Sequence, residues 1–258
     1  MPKDSRGGQG GDKHLGNNRS SGGYKGSVGN FPEKKNPFQP FKTYQKEFAS
    51  AKDLPTLKKV LEDNGVVMSD KFEKYIATNK YPLEDAKNFI KGTLLTMSHY
   101  GDGEKFVGFG AFNSSRSSTV AQYSAPAVIG SQANGNISVN IGHPFSRGKS
   151  IYGTGGHEAY HQVEALMGDR KGITMDKYSE SVVTRVYSKW SSNKANKSSG
   201  NIKTDVSTHI SNYGATNNNE ALSEAMKNVI NKGHKASSLS KDIYKQVKAD
   251  TKTYKIKK

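Results

Sequence analysis

Between residues 53 and 100, apolar positions recur every three or four residues, the spacing of one face of a helix. Leu57, Val60 and Leu61 form one such stripe, with Asp53 at the capping position, Pro55 in the first turn and Gly65 beyond the end. They predict a helix over 53–64. Similar patterns predict helices from Ser69 to about Ala77 and from Leu83 to Tyr100, the latter carrying Phe89, Ile90, Leu94, Leu95 and Met97. The period then changes. Phe106 to Phe112 alternates aromatics with glycines, and strands are expected there, at Thr119–Ile129 and at Asn136–Ile141. In the last, Ile137, Val139 and Ile141 alternate with Ser138 and Asn140, which predicts a half-buried or edge strand. Such an edge would offer an extended peptide a line of backbone groups to pair with.

The next apolar stripe, Val163, Leu166 and Met167, predicts a packed helix, and its start carries the pentapeptide His157-Glu158-Ala159-Tyr160-His161. On a helix, residues four apart share a face, so the two imidazoles project side by side. Two such imidazoles offer half of a tetrahedral zinc site, and Glu158 is placed to act as general base on the same turn. With seven histidines and eleven glutamates in 258 residues, chance would produce this spacing in roughly one chain in a hundred or two. The uncharged flanks, Thr154-Gly155-Gly156 and Gln162-Val163, argue against a solvated turn. The paired glycines are poor helix formers, so the helix is expected to begin close to His157. Gly153-Thr154-Gly155-Gly156 lacks a lysine in phosphate-loop register, and room for close helix packing is the favoured reason for these glycines.

A zinc site needs a third protein ligand, and the chain contains no cysteine, which leaves two histidines and a carboxylate with water in the fourth position. The best carboxylates are Glu220 and Glu224. They follow Asn217–Asn219, strong helix-start residues, and lie four apart on one face near the positive end of the helix, with Ala221, Leu222, Ala225, Met226 and Val229 as the apolar remainder. An ordinary acidic first turn would look the same. The histidines at 14, 99, 143, 209 and 234 have no ligand-spaced partners; His209, four residues before Tyr213, is the one candidate for a cleft. Ser114–Ser118 has no histidine–aspartate pair around it.

Tyr-Gly-x-Thr-Asn-x-x-Glu-x-x-x-Glu-Ala, from Tyr213 to Ala225, resembles the second active-site segment of the anthrax lethal factor catalytic domain and its relatives. Those relatives include Pro-Pro endopeptidases and zincin-like domains in phage head proteins and bacterial toxins. The resemblance covers two segments, and the residues between its two glutamates, Ala221, Leu222 and Ser223, are smaller than is usual there. It implies an α+β zincin-like metallopeptidase domain with a small mixed sheet and an active-site helix, holding one Zn2+ per chain. It further implies His157, His161 and Glu220 as ligands and Glu158 as general base. Tyr213 would donate a hydrogen bond to the developing oxyanion, and Glu224 would hold a ligand histidine in its tautomer. Each role is chemically sensible on its own terms.

Composition bounds the remainder. Apolar residues make up 33% of the chain, and residues 1–44, rich in Gly, Asn, Ser and basic side chains, are expected to be a disordered arm. The metallopeptidase domain would then occupy 45–258, with a helical part at 45–100, a catalytic part at 101–258 and a polar exposed loop at 188–205. The net charge of +16 is uneven: residues 225–258 hold ten lysines against Asp242 and Asp250, and the first 40 residues hold seven basic against three acidic. This balance favours non-specific electrostatic contact with nucleic acid or an anionic surface, with a merely solvated lysine-rich tail as the bland alternative. No transmembrane segment or conventional secretory signal is apparent. The expected setting is therefore cytoplasmic, virion-associated or reached by non-classical export. The expected function is zinc metalloendopeptidase cleavage of a protein substrate, as a phage-associated or toxin-type effector. The alternative is a phage head or DNA-binding protein that keeps the fold without proteolysis; a nuclease toxin would share the charge but lacks a nuclease constellation.

Overall fold

The computed structural model describes residues 26–253, apart from 101, 102, 104 and 116. Helices α1 (Gln45–Ser50), α2 (Leu54–Asp63), α3 (Asp70–Ala77) and α4 (Leu83–Tyr100) precede strands β1 (Gly108–Phe112), β2 (Ala121–Ser124) and β3 (Asn136–Asn140). Helices α5 (Ser150–Lys171), α6 (Met175–Ser191), α7 (Ile202–His209), α8 (Asn218–Lys232) and α9 (Ser238–Thr253) follow. The class is α+β, as expected. Local chemistry starts several helices where the sequence pattern does: Asp53 accepts the Thr56 N–H at 2.8 Å, and Ser69 accepts that of Phe72 at 3.2 Å.

Two apolar clusters meet at α5. One combines α1–α4, the sheet and the start of α5, including Phe89, Phe109, Ile137 and Ile151. The other combines the later part of α5 with α6–α9, including Tyr160, Met167, Val182, Leu222 and Ile243. Tyr178, Val182, Val183, Val186 and Trp190 give α6 its buried face, a stripe at helical spacing that the sequence reading did not use.

The small sheet has the order β1-β3-β2, with β3 parallel to β1 and antiparallel to β2. β3 is thus the central strand and not the expected edge. Its alternating polar side chains are buried but satisfied, which is why alternation misleads here. Ser138 Oγ donates to Asn136 Oδ1 at 2.7 Å, and Asn140 Nδ2 donates to the carbonyls of Ser114 and Thr119, each at 2.9 Å. The outer edge of β1 is covered: Phe109 N donates to Val67 O at 2.9 Å, and Ala111 N to Val28 O at 3.3 Å. Among the described residues the open edge is therefore β2. The bond from Asn140 N to Val120 O at 2.9 Å sets the phase of the ladder. Gln122 and Ser124 pair inward, while the backbone groups of Ala121 and Tyr123 point outward. The strand stops at Ser124 and does not run to Ile129; Pro126, with no N–H to give, follows two residues later.

Three further expectations are corrected. Residues 26–44 are not a loose arm: Val28 O also accepts from Ser69 Oγ at 2.8 Å, and Phe41 and Tyr44 are buried in the core. The expectation for residues 1–25 lies outside the described residues. The polar segment 188–205 is mostly structured, since α6 runs through a buried Trp190 and α7 begins at Ile202. The loop that remains is tied down by Asp205, whose carboxylate accepts from Ser198 Oγ at 2.5 Å, Tyr187 Oη at 2.9 Å and Ser199 N at 3.0 Å.

The third correction concerns α5, which starts at Ser150, two turns ahead of His157, with Gly153, Gly155 and Gly156 inside it. Tertiary packing overrides their poor propensity. A Cβ on Gly155 would lie 2.2 Å from Phe89 O, and one on Gly92 of α4 would lie 2.0 Å from Tyr152 O. The two backbones cross too closely for side chains, so the glycines serve close helix packing. A Cβ on Gly153 would meet nothing nearer than 3.5 Å. Gly155→Ala is expected to destabilise the protein by about 1–3 kcal/mol through overpacking, whereas Gly153→Ala is expected to stabilise it by up to about 1 kcal/mol. Urea denaturation of both variants checks this contrast, and equal effects would refute the close-crossing explanation.

Candidate metal centre

α5 carries His157 and His161 on one face, with ring centroids 5.0 Å apart. α8 delivers Glu220 to them from its first turn, where Asn217 accepts the Glu220 N–H at 2.9 Å and so fixes the start of the helix. Glu220 Oε2 lies 3.0 Å from His157 Nε2 and 3.7 Å from His161 Nε2. The ligand atoms of all three residues fall within 4.8 Å of one another, and all three side chains are buried. This group could hold a metal ion.

The fit to a cation rests on more than proximity. Glu220 Oε2 is a buried acceptor that makes no aligned hydrogen bond, despite its short distance to His157. Donor atoms that converge without bonding one another suit a shared cation. Two imidazole nitrogens and a carboxylate oxygen are also the donor set that zinc takes in hydrolytic sites. Charge points the same way. Glu158, Glu164 and Glu220 are buried, and the Glu224 side chain is only 11% exposed. Lys227 Nζ lies 2.8 Å from Glu224 Oε1. Burying this much negative charge is unfavourable unless the histidines are protonated or a dication is present.

Behind the ligands, each histidine meets a carboxylate. His157 Nδ1 lies 2.9 Å from Glu224 Oε1, although the ring N–H is not aligned on it. His161 Nδ1 lies 3.1 Å from Glu164 Oε2, and Ser223 Oγ donates to Glu164 Oε1 at 3.1 Å. Burial pulls the pKa of His157 down, but Glu220 and Glu224 outweigh it and hold the value up at about 9. His161 is likewise raised, with Glu164 and Glu220 overcoming burial. Burial would raise Glu220 and Glu224, yet the histidines hold both below the usual carboxylate range. Glu158 and Glu164 are raised, chiefly by burial.

The outer side of the site is formed by Tyr213 and β2. Tyr213 is 52% exposed and its ring centroid lies 5.8 Å from that of His157. Burial of its hydroxyl, together with the charges of Glu220 and Glu158, raises its pKa and keeps it a donor at neutral pH. The outward N–H of Tyr123 on β2 is directed to the Glu158 carboxylate. All six residues singled out by the sequence thus lie in one place: His157, Glu158, His161, Tyr213, Glu220 and Glu224. Glu164, Ser223 and Tyr123 were missed. The His161-x-x-Glu164 spacing was readable, since residues three apart share a helix face, whereas Ser223 and Tyr123 arrive only through the fold. His209 instead packs edge-on against Trp190, with centroids 4.9 Å apart.

No protein-family model, curated protein or solved structure matches this chain.

The raised histidine pKa values predict how stability depends on pH. For metal-free protein, His157 contributes stability that is present below its unfolded value near 6.5 and is lost as pH rises through about 9. Melting of chelator-treated protein is therefore expected to fall from pH 6.5 to 9. A bound dication requires neutral imidazoles, so saturating zinc should flatten or reverse that slope. Thermal denaturation across the range, with and without zinc, checks it; parallel curves would count against a metal at these histidines.

Proposed function

We propose that this chain is a zinc metalloendopeptidase of the zincin type, acting on an extended segment of a protein substrate. The observation that carries the reading is the buried convergence of His157, His161 and Glu220 beside Glu158, with the outward edge of β2 running past that base. Zinc is the ion chosen because its hydrolytic sites use this donor set, and when bound it supplies Lewis-acid activation of water and of the substrate carbonyl.

The chain's own residues then have separable tasks. Glu158, made more basic by burial, accepts the proton of the attacking water and passes it to the leaving amine nitrogen. Tyr213, held protonated by its surroundings, donates a hydrogen bond to the oxyanion that forms as the carbonyl becomes tetrahedral. The outward backbone groups of Ala121 and the outward carbonyl of Tyr123 pair with an extended substrate, so that main-chain hydrogen bonds align it alongside Glu158, which already takes the Tyr123 N–H. Asp169 accepts the N–H groups of Gly130 at 2.6 Å and Ala133 at 2.9 Å, which fixes the loop beyond β2. Among the described residues no helix is long and apolar enough to cross a membrane.

Elemental analysis is expected to find one zinc per chain, lost in the double variant His157→Ala/Glu220→Ala. Glu158→Gln is expected to retain the zinc and lose cleavage of a peptide library by about 10²–10⁴-fold; unchanged turnover would remove Glu158 from the mechanism. Tyr213→Phe is expected to lower kcat by about 10²-fold with little change in KM. A zinc-free wild type that shows only salt-sensitive DNA binding would favour the non-proteolytic reading of the basic ends.

A further inference from the structure

Glu164 has no task in the reaction, yet it is wholly buried. Its described partners are His161 Nδ1, 3.1 Å from Oε2, and Ser223 Oγ, 3.1 Å from Oε1. Ser223 Oγ is also 3.2 Å from His161 Nδ1, which closes a triangle of three buried groups drawn from α5 and α8. A carboxylate with no exposure is a poor choice for filling space, since an amide or an apolar side chain would occupy the same volume without charge.

Resting on the metal reading above, we infer that Glu164 is a positioning residue that sets the tautomer and orientation of His161 for metal binding. With Glu164 ionised and His161 neutral, as metal binding requires, the hydrogen bonds fit one arrangement of protons. The Glu164 carboxylate accepts on both oxygens, from the Ser223 hydroxyl and from the Nδ1–H of His161. With the proton on Nδ1, the lone pair of His161 lies on Nε2, the atom 3.7 Å from Glu220 Oε2. The opposite tautomer would turn the Nδ1 lone pair onto a carboxylate oxygen, which is repulsive. Ser223 matters because its single proton goes to Glu164, leaving its own oxygen as a second acceptor beside Nδ1. The two rings differ in this: His161 is hydrogen-bonded from one turn further along its own helix by Glu164, whereas His157 Nδ1 faces Glu224 of α8 at 2.9 Å with its N–H off line.

The test is zinc affinity by competition with a chromophoric chelator, together with the visible spectrum of the cobalt-substituted protein. Wild type is compared with Glu164→Gln and Ser223→Ala. Glu164→Gln keeps the shape but removes the charge, and it is expected to bind zinc about 10–100-fold more weakly and to shift the cobalt bands. Ser223→Ala is expected to weaken zinc by about 2–10-fold. Wild-type affinity and an unchanged cobalt spectrum in a folded Glu164→Gln protein would overturn the inference, even with a lowered Tm, because Glu164 would then be structural only. If Glu164→Gln fails to fold, Ser223→Ala decides by itself: weaker zinc supports the inference and unchanged zinc overturns it. Failure of the wild type to bind zinc at all is a different outcome, and it would remove the metal reading and this inference together.

Discussion

One helix is buried on nearly every side while burying two histidines and two glutamates, and the rest of the molecule is arranged around that constraint. In α5, Gly155, Ala159, Val163 and Met167 are buried together with His157, Glu158, His161 and Glu164. A helix covered all round is normally apolar all round. Here one face is apolar and glycine-lined against α4, and the opposite face holds charge against α8. The close α4–α5 crossing at Gly92 and Gly155 presses the helix into the first core. Once that crossing is made, the polar face has nowhere to go but against α8, and its groups must find partners there.

That requirement organises the second half of the chain. α8 answers the two imidazoles with Glu220 and Glu224, and it answers Glu164 with a hydroxyl from Ser223. Lys227 adds a cation beside Glu224. The cluster's four carboxylates face Lys227 and two histidines, so even with both histidines protonated three cations stand against four acids. Protonated histidines cannot ligate, and the same charges that raise the imidazole pKa values would equally favour a dication in place of those protons. Site and stability are therefore linked through one set of groups.

The reaction side is built from less rigid material. Tyr213 sits in the connection between α7 and α8, half exposed, where a short turn from Gly214 to Thr216 leads into the capped start of α8. β2 is only four residues long, and on its outer side, which has no partner strand among the described residues, the Tyr123 N–H turns to Glu158. A short open edge resists self-association better than a long one, yet it suffices to pair a few residues of substrate. Under the proposed function, candidate ligands lie on packed helices and candidate substrate contacts on an edge strand and a turn, which divides rigidity from access.

The sequence by itself determined what depends on local spacing and local chemistry. α2, α3 and α4 fall where Asp53, Ser69 and the stripe from Phe89 to Met97 indicate, because caps and helical periodicity act within a few residues. The same holds for the candidate site residues, since His157 with His161, and Glu220 with Glu224, are each fixed to one face by a four-residue step. Only the tertiary structure decided which of these faces meet and what lies between them. Gly155 and Gly156 read locally as a helix start, yet they lie inside α5, because a contact with α4 some sixty residues away in sequence rewards a missing Cβ. Ser138 and Asn140 read as a solvated face, yet they are buried, because loop carbonyls from Ser114 and Thr119 and the side chain of Asn136 accept their protons. Glu164 was visible as a residue but not as a partner, because its role exists only once Ser223 is brought down on His161 from another helix. Spacing is a property of the chain, but burial and hydrogen-bond partners belong to the packed molecule, where distant segments decide whether a polar atom is satisfied.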